Sequence, residues 1–158
     1  MEGKNAEVQS TGPERDTLLD RVIVVQPDPQ TLEVFGDRFK PCASIIQLFS
    51  KGEDALDMVQ SEEEKGMPPV SLVVTDYRLP GGKDGFDVIK GIRDRYPDSI
   101  RVMYSGKASD LSRLNEEELV EYGITHMYDP HIRRPSEVVD ALIGEVKKRQ
   151  AKEQHTNP

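Results

Sequence analysis

Cysteine and long apolar runs are what this sequence has least of. Its one cysteine, Cys42, excludes an intramolecular disulfide and fits a reducing, intracellular setting. No stretch approaches the roughly 20 apolar residues that cross a bilayer. Met1 to Thr17 is polar and mixed in charge, with no apolar signal-peptide core. Positive charge is also in deficit. The chain has 21 Lys and Arg against 29 Asp and Glu, for a formal net charge of −8. Its isoelectric point lies near 4.9. That balance argues against nonspecific nucleic-acid binding but leaves protein partners open. A cytoplasmic chain with neither nucleic-acid nor membrane contacts is the expectation. At 158 residues, one domain with a core independent of metals and disulfides is expected.

What is present is a repeating alternation of short apolar runs and amphipathic stretches. Residues 1–19 carry Gly, Pro, Ser, Thr and charges without periodicity and read as a flexible lead-in. Arg21 to Val25 is a β-branched run that reads as a strand, and Gln26-Pro27-Asp28-Pro29 then forces a turn. A helix follows, with Leu32, Phe35 and Phe39 on its inner face and Pro41 at its end. Ser44 to Phe49 reads as the second strand, followed by a helix burying Ala55, Leu56 and Val59. The run Glu62-Glu63-Glu64 reads as a solvated face or helix end.

Val70 to Thr75 is the third strand, apolar enough to be buried on both faces, and it ends on Asp76. Pro80, Gly81 and Gly82 turn the chain there. Asp84 can cap a helix carrying Phe86, Val88, Ile89 and Ile92. Ile100 to Tyr104 is a fourth strand, more alternating and therefore expected to be less buried. It runs out at Ser105-Gly106-Lys107. Asn115 to Glu118 has capping-box character and opens a short helix with Leu119 and Val120 inward, ended by Gly123. Thr125 to Tyr128 is the fifth strand. The last helix begins near Ser136 and buries Val138, Val139, Leu142, Ile143 and Val146. The ordered unit is therefore expected over 20–147, with a basic, then polar tail over 148–158 that frays.

Strand and helix alternate five times, which predicts an α/β fold: a doubly wound five-stranded parallel sheet with helices on both faces. Only the runs at 21–25 and 70–75 are apolar throughout, so they should be central, and the order 2-1-3-4-5 places them side by side. The topological switch point then falls between their carboxyl ends, with the turn at Gln26 to Asp28 facing Asp76 across a crevice.

The segment Asp76-Tyr77-Arg78-Leu79-Pro80, followed by Asp84-Gly85, resembles that after the third strand of response-regulator receiver domains, with one extra loop residue. These are the phospho-accepting modules of two-component signalling. The resemblance covers about residues 20–147. It implies that Asp76 holds the phospho-acceptor position and that the backbone carbonyl of Arg78 helps Asp76 hold a magnesium ion. It also implies that Ser105 is the hydroxyl that follows the phosphoryl group, and that a histidine kinase or downstream effector docks on the fourth and fifth strand face. The chemistry needs a carboxylate nucleophile, a hard cation on oxygen ligands and a lysine to neutralise the phosphoryl group.

The sequence departs from that pattern. The acidic pair expected at positions 26 and 27 is Gln26 and Pro27, and Asp28 enters the metal shell only if the backbone shifts at Pro27. The expected Lys-Pro after the fifth strand reads Asp129-Pro130, with Lys107 or Arg133-Arg134 as replacement cations. The activation-reporting aromatic falls between His126 and Tyr128. His126, His131 and His155 have no metal-ligand spacing and read as ordinary polar residues. The expected function is thus that of a stand-alone, degenerate receiver-like domain acting through protein contacts, without catalysis beyond self-phosphorylation at Asp76. The alternatives are a magnesium-dependent phospho-acceptor at Asp76 and a flavodoxin-like small-ligand domain. The latter lacks a Gly-rich phosphate cradle after the first strand. After the last helix only about a dozen residues remain, so output is expected to run through a partner.

Overall fold

A computed structural model describes residues 7–10, 18–61, 65–106 and 115–156. In chain order the elements are β1 (Glu7–Ser10), β2 (Leu19–Val25), α1 (Pro29–Phe39), β3 (Ala43–Phe49), α2 (Gly52–Gln60) and β4 (Leu72–Thr75). Then come α3 (Gly85–Arg95), β5 (Ile100–Tyr104), α4 (Glu116–Tyr122), β6 (His126–Tyr128) and α5 (Pro135–Thr156). The sheet order is β1-β3-β2-β4-β5-β6. The strands from β2 to β6 are parallel and follow the expected 2-1-3-4-5 order, with β2 and β4 adjacent at the centre.

The period-2 alternation of strand side chains divides the core between the two faces of the sheet. Val22 and Val24 of β2 join Leu72 and Val74 of β4 on the face covered by α1 and α5. Ile23 and Val25 join Val73 and Met103 on the face covered by α2, α3 and α4. Phe35 and Phe39 of α1, and Val88, Ile89 and Ile92 of α3, are fully buried, as their spacing predicts. Each such side chain removed from water contributes about 1.5–3 kcal/mol, which is what holds the strand ends in place around the switch point.

Four expectations are corrected. Part of the stretch read as an unstructured lead-in is strand: β1 pairs antiparallel with β3, Glu7 opposite Leu48 and Ser10 opposite Ile45, so the sheet has six strands. Backbone pairing along the outer side of β3 needs no amphipathic pattern. The stretch read as a fraying tail is helix as far as Thr156, built from good helix formers, and Gln150 Nε2 donates to the Leu18 carbonyl at 3.2 Å. β5 is buried along its whole length despite its alternation. Arg101 is accommodated there because its guanidinium donates to the carbonyls of Gly123, Pro97 and Ser99. Val120 faces outward, 74% exposed, where inward packing was expected. The Glu62 to Glu64 run lies outside the described residues. Among the described residues, no helix is long and apolar enough to cross a membrane.

Candidate functional site

The parallel register brings three chain ends together. Val25 pairs with Thr75, and Thr75 with Met103. Gln26 and Asp76 are thus the first residues past the paired ends of β2 and β4, and Ser105 lies just past β5. Backbone bonds fix each one. The Asp76 N–H donates to the Val25 carbonyl at 3.0 Å, Gln26 to Phe49 at 3.0 Å, and Ser105 to Tyr128 at 3.2 Å. Asp76 is half-buried, whereas Ser105 is fully buried. The Thr75 hydroxyl donates to the Asp76 carbonyl at 2.9 Å.

Gly85 lets α3 start against this loop. A Cβ there would lie 2.3 Å from the Asp76 carbonyl oxygen, and the Gly85 N–H donates to Tyr77 at 2.8 Å. The helix is launched by the expected cap: Asp84 accepts from the Asp87 N–H, and the Asp87 carboxylate accepts from the Asp84 N–H. Arg78 is exposed in the loop, and Gly81 turns it at φ 92°, a left-handed value that glycine adopts without strain.

The donors around Asp76 do not fit a magnesium ion. Gln26 is buried, 3% exposed, and among the described residues its Nε2 has no hydrogen-bond partner. Pro27 has no side-chain ligand. Asp28 is occupied as the N-cap of α1, its carboxylate accepting from the Thr31 hydroxyl at 2.6 Å and the Thr31 N–H at 3.0 Å. Those two bonds, the hydroxyl's first, hold Asp28 below the usual carboxylate range. Among the described residues no three His, Cys, Asp or Glu side chains cluster as a metal site.

On the far side, Asp129 accepts from the His131 N–H at 2.8 Å, where the receiver pattern has a lysine. Its carbonyl accepts from the N–H groups of Ile132 and Arg133. Arg133 and Arg134 are exposed, and Lys107 lies outside the described residues. Tyr104 donates its hydroxyl to the Arg133 carbonyl at 2.8 Å. Burial, and then the charges of Asp129 and Glu137, push its pKa up.

Two features escaped sequence reasoning. The aromatic position of the last strand is divided: Tyr128 packs on the α1 and α5 side and Met127 on the opposite face. His126 bonds Glu145 of α5 through Nε2 at 3.0 Å and meets the Thr125 hydroxyl through Nδ1 at 2.8 Å. Nothing in the sequence marks a pair 19 positions apart. The second feature is an aromatic ladder leading away from Asp76. Tyr77 meets Phe86 edge-on at 5.1 Å, and Phe86 stacks on Tyr122 of α4 at 4.7 Å.

No family model and no curated protein matches the sequence. Solved structures do match. A CheY-like response regulator receiver domain protein from Methanospirillum hungatei superposes with a TM-score of 0.62 at 14% identity, covering 85% of this chain and 98% of that one. A chemotaxis response regulator of Vibrio cholerae gives 0.61 at 16% identity, covering 81% and 98%. A structure described as an adenylate cyclase from Rhodopirellula baltica gives 0.59 at 22% identity, covering 87% and 96%. With five parallel strands in the same order and near-complete coverage of those chains, this chain has the fold of a response-regulator receiver domain.

Proposed function

We propose that this chain is a receiver-like signalling domain that works by contact with a protein partner, a histidine kinase or a downstream effector, and not by magnesium-dependent phosphoryl transfer to Asp76. The observation that carries this reading is the donor set: a buried Gln26 whose Nε2 has no partner among the described residues, Pro27, an Asp28 engaged in capping α1, and Asp129 at the lysine position. Taking one charged ligand away from a partly buried site weakens cation binding by about 1–4 kcal/mol. The missing lysine removes a charge-assisted bond of about 1.5–3 kcal/mol, and Asp129 repels an incoming phosphoryl group. Partner contact is assigned to the β5 and β6 face with the adjoining helices α4 and α5. A cytoplasmic setting fits the single buried thiol of Cys42.

The test is a magnesium titration followed by beryllofluoride or acetyl phosphate, with amide shifts and intact mass as readouts and Asp76→Asn as control. No shift near Asp76 and no mass gain at millimolar magnesium support the reading. Shifts centred on Asp76 and Ser105, with a phosphoryl mass gain absent from the variant, overturn it in favour of a phospho-accepting regulator.

A further inference from the structure

We infer that Thr125, His126 and Glu145 form a proton-operated latch between the edge strand β6 and helix α5, closed while both ring nitrogens of His126 carry a proton. The latch is independent of whether Asp76 takes a phosphoryl group. It follows from counting donors and acceptors. The Thr125 hydroxyl has one proton, and it goes to the Arg101 carbonyl at 2.8 Å. The same oxygen accepts from the Arg101 N–H at 2.8 Å. One lone pair is left for His126 Nδ1, also at 2.8 Å, so Nδ1 donates. Across the ring, Nε2 lies 3.0 Å from Glu145 Oε1. An ionised carboxylate only accepts, so Nε2 donates too. Two donating nitrogens make the ring an imidazolium.

The carboxylate depends on that ring. Arg149 Nη2 stands 3.1 Å from Glu145 Oε2, yet this buried oxygen has no hydrogen-bond partner among the described residues, so the pair is a charge contact only. The other titratable neighbours do not compete. Tyr128, two residues along β6, stays neutral, because burial first and then the charge of Glu145 push its pKa up. On β5, Arg101 meets Thr125 through its backbone, while its guanidinium is turned to the carbonyls of Gly123, Pro97 and Ser99.

The latch therefore opens on two sides. As pH falls, Glu145 gains a proton, at a value held below the ordinary 4.5 chiefly by the bond from His126. As pH rises, the imidazolium gives up a proton, and a neutral ring can donate to only one of its two oxygen partners. Either way α5 loses its tie to the edge strand. That tie sits next to the buried Val146 and one turn before Gln150, whose amide holds the Leu18 carbonyl.

The test uses the full chain with nitrogen-15 histidine, read by ring-nitrogen NMR beside amide exchange. At about pH 6 both ring N–H protons of His126 should be visible, sheltered by their hydrogen bonds, whereas those of the exposed His131 exchange too fast to see. Between about pH 6 and 8.5 one of the two is lost. Protection of the amides from Glu145 to Gln150, corrected for intrinsic exchange, should then fall at least about fivefold, the equivalent of one charge-assisted bond. Protection in α3 should stay constant. Glu145→Gln should abolish the α5 response, since an amide can accept or donate and suits either state of the ring. His126→Gln should abolish it as well, and His131→Gln should leave it intact. A single visible ring proton on His126 at the lower pH, α5 protection indifferent to pH, or a response that survives His126→Gln would overturn the inference. The ring spectra and exchange profile of the parent decide the matter even where a variant is unstable.

Discussion

Substituting alanine for Gly85 probes the closest approach in the site. The new Cβ would sit 2.3 Å from the Asp76 carbonyl oxygen and 2.8 Å from the Tyr77 Cα, both backbone atoms that cannot swing aside. To reach even 3.0 Å, α3 and the Asp76 loop must separate by about 0.7 Å. Overpacking of this kind costs about 1–3 kcal/mol. The alanine restricts the unfolded chain and returns about 0.4–1 kcal/mol, so a net loss of about 1–2 kcal/mol is expected. For a domain of this size that lowers Tm by about 2–8 °C. Gly144→Ala is the matched control. It lies in α5 with nothing within 4 Å of the added Cβ, so it should gain about 0.5–1 kcal/mol. Urea unfolding gives both energies, and amide shifts of Asp76 and Tyr77 show whether the loop has moved. If Gly85→Ala is as stable as the parent and the Asp76 amide stays put, the argument that glycine seats this loop against α3 is wrong.

Three further outcomes follow from the same geometry. Arg101→Ala removes the donor that satisfies the Gly123, Pro97 and Ser99 carbonyls and should cost about 2–4 kcal/mol in chemical denaturation. Tyr104→Phe deletes only the bond to the Arg133 carbonyl and should cost about 1 kcal/mol, with faster amide exchange at Ile132 and Arg133. Glu145 is held below its ordinary pKa of 4.5 chiefly by the hydrogen bond from His126, then by the charges of His126 and Arg149. A depressed carboxylate stabilises the fold above its unfolded pKa, and that contribution is lost as pH falls through the folded value. Unfolding of Glu145→Gln should therefore depend less on pH below about 4.5 than unfolding of the parent, as a series of melts would show.

The sheet order and the inner faces of the helices were readable because burial writes itself into periodicity. Ile23 and Val24 point to opposite faces, and both must be apolar in a central strand. Asp76 was readable for the same reason: an acid directly after such a run has to sit at the sheet's carboxyl end. Periodicity fails where backbone or polar side chains do the work. The polarity of Arg101 suggested a wetter strand, but three carbonyls contributed by neighbouring turns make its burial tolerable. Val120 sits at an apparently inward position of a helix too short for its pattern to fix its rotation. The His126–Glu145 contact and the Tyr77–Phe86–Tyr122 ladder arise only once distant elements are packed. Whether Asp28 was a ligand or a cap depended on Thr31, three residues on, whose hydroxyl and N–H both reach its carboxylate.

The two edges of the sheet carry their own consequence. β1 offers four residues along one side and β6 three along the other, so each boundary is a short template for pairing with another chain. Behind β1, however, lies β3, whose Ile45-Ile46-Gln47-Leu48-Phe49 core is apolar and β-prone. The four residues of β1 thus act as a gatekeeper. Wherever they peel away, Ile45 to Leu48 lose their backbone partners on that side, and a route to strand-mediated self-association opens at that edge.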